Sequence, residues 1–244
     1  MANPVALNNK THRDLRVITS RGAGFGENIH IVPVIADELG NLVLDYPVCL
    51  IKDPETGRFK MSALLGFDPG ENLYLEGDRW NALYVPLHVQ RQPFMVGYSA
   101  PGGAGGGQGN PVITIDMDSR RVQKSEGEAL FNEDGSNTPF LDHMNTLLAG
   151  LMDGMKSTEY FVETLANHDL IEPAQFNIEF ADGEKKRYEG LYTVNDEKLA
   201  ELKGEVLEDL HSRGYLRATA LMMASLGHVS RLISRRNARR SAQA

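Results

Sequence analysis

The hydrophobic period of this 244-residue chain changes part-way along, and that change limits the fold more than any other feature. Between Ile29 and Gly97, short apolar segments (29–35, 46–51, 58–65, 72–75, 82–89 and 93–98) alternate with turn signals. Asp53-Pro54, Thr56-Gly57, Asp68-Pro69-Gly70 and Gly77-Asp78 separate them, because these residues fix φ or bond their own backbone. This half reads as mostly β, with Pro33, Pro86 and Pro93 confined to edges, bulges or strand starts, since proline cannot donate to a ladder. From Thr138 the spacing becomes helical. The expected fold class is α+β: a β-rich N-terminal half, then a helical C-terminal half containing one β-hairpin.

The helical half carries explicit start and stop signals. Thr138-Pro139 supplies an N-cap and a first-turn proline, and Phe140, Met144, Leu147, Leu148 and Leu151 follow at helical spacing. Gly154 is expected to end that helix, with Ser157 or Thr158 capping a second that carries Phe161 and Leu165. Asp182-Gly183, between partly alternating segments 175–181 and 186–194, marks the hairpin. Asn195 caps a short helix, and Gly214 interrupts a longer helical region that runs to about Asn237.

Three segments fall outside this scheme. Residues 1–28 are polar and end in RGAGFGEN, which reads as a flexible arm; glycines 22, 24 and 26 lack the G-x-G-x-x-G spacing of a dinucleotide loop. PGGAGGGQGN at 101–110 has six glycines in ten positions, too many to hold regular structure, and marks a loop and a candidate internal boundary of an otherwise single domain over 29–236. Residues 237–244 read as a basic, disordered tail.

The net charge of −8 argues against nucleic-acid partners, whose phosphates are bound by clustered Lys and Arg. The basic residues gather at one end: Arg231, Arg235, Arg236, Arg239 and Arg240 follow one another with no acid between them. With Leu221, Leu226, Val229, Leu232 and Ile233 they describe either a basic amphipathic helix for peripheral membrane contact or, as favoured, a final core helix with a frayed end. Cys49, the only cysteine, sits in an apolar run and is expected to be a buried thiol. The N-terminus lacks a secretory pattern, so a cytoplasmic location is expected, with signal-less export as the alternative.

Two places suggest a binding surface. In VITIDMDSRRV (112–122), strand alternation puts Asp116, Asp118 and Arg120 on one face, a row that suits a cation or a polyhydroxylated ligand, or a plain structural ion pair. Arg79, Trp80 and Tyr84 lie in a polar stretch, where an aromatic face beside Asp, Asn and Arg suits a sugar or flat ligand, or anchors the core. Glu126 and Glu128 complete no calcium loop, because Arg121 stands where that loop needs glycine. The seven histidines are scattered and the serines form no nucleophile elbow. The residues point to no catalytic group, cofactor or metal.

Ordered fragments along the chain resemble the SapC family of bacterial proteins: DYP at 45–47, ALLGF at 63–67, GENL at 70–73, RW at 79–80, YVP at 84–86, RQPF at 91–94, RRV at 120–122, EGE at 126–128, GLYT at 190–193, RGYL at 213–216 and ASLG at 224–227. Members of that family often accompany TonB-dependent outer-membrane receptors and halogenase-like or cupin-like proteins, and the family name comes from a surface-layer locus. The resemblance thus implies a non-enzymatic binding or accessory role in nutrient uptake or surface-layer function, with a protein partner from those systems. The alternatives are an enzyme acting on a polar, glycan-like or aromatic small molecule, and a structural component of a surface array.

Overall fold

The computed structural model describes residues 3–99 and 109–242. The expected glycine-rich loop and candidate boundary therefore lie almost wholly outside the described residues. Strands follow in the order β1 (Pro4–Ala6), β2 (Arg16–Val17), β3 (Ile31–Pro33), β4 (Val48–Lys52), β5 (Phe59–Leu64), β6 (Leu75–Glu76), β7 (Arg79–Trp80), β8 (Phe94–Tyr98), β9 (Pro111–Asp116), β10 (Val122–Gln123), β11 (Glu128–Ala129), β12 (Ile171–Glu179) and β13 (Lys185–Val194). Helices are α1 (Leu39–Leu42), α2 (Leu87–Gln90), α3 (Pro139–Asn167), α4 (Asp196–Glu201), α5 (Gly204–Ser212), α6 (Tyr215–Ser225) and α7 (Val229–Ser241). The α+β class stands: helix outweighs strand, 37% to 26%, and the C-terminal part is the helical one. None of the described helices is long and apolar enough to cross a membrane.

The chain divides into two compact units. The first holds residues 1–27, 77–79 and 87–152; the second holds 28–76, 80–86 and 153–244. In the first unit an antiparallel sheet runs in the order β1-β9-β8, and its central register pairs Phe94 with Ile115 and Ile115 with Val5. Phe94 and Ile115 are fully buried against Leu130 and against Leu141, Met144 and Leu148 of α3. The helix begins as its sequence demands: Thr138 Oγ1 accepts from the Leu141 N–H at 3.3 Å, and proline takes the first position, where no N–H is needed.

The described part of the expected arm, residues 3–28, is not free. β1 pairs with β9, β2 pairs with both β10 and β11, and Leu15 and Val17 are buried in the same core as Phe94. A polar composition concealed two alternate apolar positions, Leu15 and Val17, which is all that a strand of two residues needs.

In the second unit a five-stranded antiparallel sheet has the order β12-β13-β4-β5-β3. The expected hairpin is present as β12 and β13, with Gly183 in the turn, and Asn195 accepts from the Lys198 N–H as the cap of α4. Cys49, fully buried, is a free thiol whose pKa burial pushes up to about 12. Segment 82–89, which reads as apolar strand, is instead loop followed by α2: Pro86 cannot donate to a ladder and stands just before the helical turn.

Gly154 does not end a helix. α3 runs 29 residues through it, and a Cβ there would lie 2.3 Å from Ile35 Cδ1, so the glycine is present for close approach. The cost of a mid-helix glycine, about 1 kcal/mol, is offset by that packing. Ser157 and Thr158 back-bond to the Gly154 carbonyl instead of capping, and Thr158 Oγ1 also accepts the Ala36 N–H at 2.8 Å.

Of the expected C-terminal tail, residues 237–241 are helix, and the last two residues lie outside the described ones. α7 continues to Ser241 because its arginines are held along its length: Arg231 by Asp45, Arg235 by the Asn81 carbonyl, Arg236 by Asp68, Arg239 by the Leu75 carbonyl, and Arg240 by Asp182 and Glu184.

Candidate functional site

A cleft of about 590 Å³ opens in the first unit. One wall is the glycine-rich turn around Ala23–Phe25, another the segment that links α2 to β8, and the third the turn that follows β9. Ala23, Gly24, Phe25 and Gly26 face Arg91, Gln92, Pro93 and Met95, with Asp116, Ser119 and Arg120 completing the lining.

Buried electrostatics hold the glycine wall. Glu27 is fully buried; its Oε1 accepts from Arg121 Nη2 at 2.6 Å and from Arg21 Nη1 at 2.9 Å, while Oε2 accepts the Gly22 N–H at 2.9 Å. Arg121, 2% exposed, also donates to the carbonyls of Ile18 and Ser20, and its guanidinium stacks 4.5 Å from the centre of the Phe25 ring. Burial draws the Arg121 pKa down while Glu27 opposes that shift, so the ion stays paired. Gly26, at φ 80°, lets the chain leave the short 3-10 turn in a left-handed conformation and re-enter the fold at Glu27.

The opposite wall carries a second guanidinium with different company. Arg91 is half-buried; its Nη1 donates to the Phe94 carbonyl at 2.8 Å and its Nε points to His88 Nδ1 at 3.4 Å. Burial lowers the Arg91 pKa. Burial, and then the charge of Arg91, push the His88 imidazole down to about 4, so the ring is neutral at physiological pH.

The six residues singled out in the sequence separate. Asp116 and Arg120 both line the cleft. Asp118 does not share a strand face with them, because β9 stops at Asp116 and the chain turns: Asp116 Oδ1 accepts the N–H of Asp118 at 3.1 Å, and also that of Asn3 at 2.8 Å. Asp118 is exposed.

Trp80 and Tyr84 belong to the second unit and serve its packing. Trp80 Nε1 donates to Tyr46 Oη at 2.7 Å, the Tyr46 hydroxyl donates to the Tyr84 carbonyl, and the Tyr84 hydroxyl donates to Glu38 Oε1 at 3.0 Å. Burial and the Glu38 charge push the Tyr84 pKa well up. Arg79, in the first unit, is exposed. Phe25, Arg91, Gln92 and Met95 were not among the sequence candidates. The one signal for them was the RQPF fragment, and RGAGFGEN gave a loop without a destination.

The SapC family model matches residues 7–232, nearly the whole chain. The chain belongs to the SapC family. The match spans every residue that lines the cleft. No characterised protein and no solved structure matched this SapC chain.

Proposed function

We propose that this SapC-family protein is a binding or accessory component, located in the cytoplasm, that serves outer-membrane nutrient uptake or surface-layer function. The observation that carries this reading is the cleft of the first unit. A glycine turn locked by a buried ion pair forms a preorganised wall, and an aromatic ring, a thioether and three charged side chains line one opening. A concavity in which polar and charged groups converge beside an aromatic ring is a setting in which ligands bind. The enzymatic alternative drew on Trp80, Tyr84, Asp116, Asp118 and Arg120; of these, Trp80 and Tyr84 have their polar groups engaged with Tyr46 and Glu38 in packing, and only Asp116 and Arg120 line the cleft.

The test is affinity capture of the tagged full chain from its native cell after mild crosslinking. An outer-membrane receptor, a halogenase-like or cupin-like protein, or a surface-layer component is expected in the eluate. Recovery of none of these ends the accessory reading.

A further inference from the structure

Arg120 is exposed in the cleft and makes no ion pair or hydrogen bond among the described residues. Arg91 is half-buried and, among the described residues, bonds only neutral groups, the Phe94 carbonyl and the His88 ring. Neither has a carboxylate within salt-bridge distance among the described residues, although the chain carries 33 acidic residues against 25 basic. The single carboxylate of the lining, Asp116, already accepts two backbone N–H groups at Oδ1. The cleft is thus a cationic recess in an acidic protein, with two guanidinium forks to one partly satisfied acid.

A half-buried guanidinium without a counter-ion is unfavourable unless an anion completes it, and the planar fork matches the two oxygens of a carboxylate or phosphate. Beside these forks the lining is mixed: Phe25, Pro93 and Met95 supply an apolar part, and Gln92 and Ser119 supply neutral polar groups. Arg121 covers one face of the Phe25 ring and withdraws electron density from it, which favours a flat apolar neighbour on the exposed remainder.

We infer that the cleft binds a small organic oxyanion, a carboxylate or phosphate on a flat apolar body, through Arg120 and Arg91 with the body against Phe25 and Met95. This rests on the cleft being the binding site of the proposed function, and it names the ligand class.

Calorimetric titration of the full chain at low salt, with phenyl phosphate, benzoate, inorganic phosphate and benzyl alcohol, tests it. Phenyl phosphate or benzoate is expected to bind, the tighter of the two identifying the head group. Inorganic phosphate should bind more weakly and benzyl alcohol not at all. Arg120→Ala should weaken the better probe at least about tenfold, the loss of one charge-assisted bond, and Arg120→Glu should abolish binding. Arg91→Lys, which keeps the charge and loses the fork, should weaken it without unfolding the chain.

Equal binding of benzyl alcohol and benzoate overturns the inference, as does unchanged affinity in both Arg120→Ala and Arg91→Lys, or no heat from either anion at millimolar concentration. A native partner captured by a chain that binds no anion defeats the inference alone. Arg120-dependent anion binding with an empty capture defeats the accessory role alone.

Discussion

Two regions of this protein concentrate arginine, and they treat it in opposite ways. Along α7 each guanidinium is closed off by its own chain: Arg236, 3% exposed, faces Asp68 at 2.8 Å, Glu184 at 3.5 Å and Glu71 at 3.7 Å, and stacks on Phe180. In the cleft of the first unit neither Arg91 nor Arg120 has such an acid among the described residues. Arg235 and Arg239 of α7 likewise bond only backbone carbonyls, and it is Arg120, with no bond at all among the described residues, that sets the cleft apart. The difference teaches that a run of basic residues in sequence is weak evidence for an anionic partner, whereas a pair far apart in sequence and open to one cavity is stronger. Arg121, one residue beyond Arg120, belongs with the closed set.

If closure marks structure and openness marks binding, stability losses should follow the partners. The largest is expected from Glu27→Ala, which strands buried Arg121 and frees the glycine wall: about 3–5 kcal/mol by urea denaturation, with loss of the cleft's ligand. Arg236→Ala should cost about 2–3 kcal/mol, because Glu71 loses its cation and the buried stack on Phe180 is lost, while Lys186 and Arg240 still neutralise Asp68 and Glu184.

Acid should separate the regions. The folded His88 pKa, about 4, lies below its ordinary 6.5, so the unfolded chain takes up the proton first. The stability that the neutral ring maintains is whole above about pH 6.5 and lost as pH falls toward 4. Between pH 7 and 5, wild type should lose about 1–2 kcal/mol relative to His88→Asn. Hydrogen bonds from Arg240, the largest influence, hold Glu184 below its ordinary range, so its contribution should survive at pH 5 and disappear at lower pH. Hydrogen exchange at pH 5 therefore should loosen the amides around α2 before those of α7.

Smaller effects sharpen the same contrast. Trp80→Phe removes the indole donor to Tyr46 and should lower stability by ~1 kcal/mol, with no change in anion binding. Arg120→Ala should move the denaturation midpoint by less than about 0.5 kcal/mol while removing affinity. A large stability loss there would place Arg120 with the closed arginines and erase the distinction.

Much of the fold was legible in the sequence because it depends on residues close together. Thr138-Pro139, Asn195 and Asp182-Gly183 act through hydrogen bonds and φ restrictions within a few positions, so their roles survive any tertiary setting. Burial of Cys49 followed from its apolar neighbours alone. The candidate site was legible only in part. Asp116 and Arg120 stood out by charge, but Phe25 and Arg91 join them in the cleft lining from segments some ninety and thirty residues distant, and no local period encodes that.

What the sequence determined by itself was the α+β class, the turns, the caps and the family. What only the tertiary structure decided was the meaning of residues whose partners are remote. Gly154 looked like a stop until Ile35 filled the space beside it, and RGAGFGEN looked like an arm until Arg121 reached Glu27. The C-terminal arginines looked like a tail until Asp45, Asp68 and Glu184 met them. Short-range chemistry is written in adjacent letters; long-range pairing acquires its sign and strength only when folding removes water and fixes the distance.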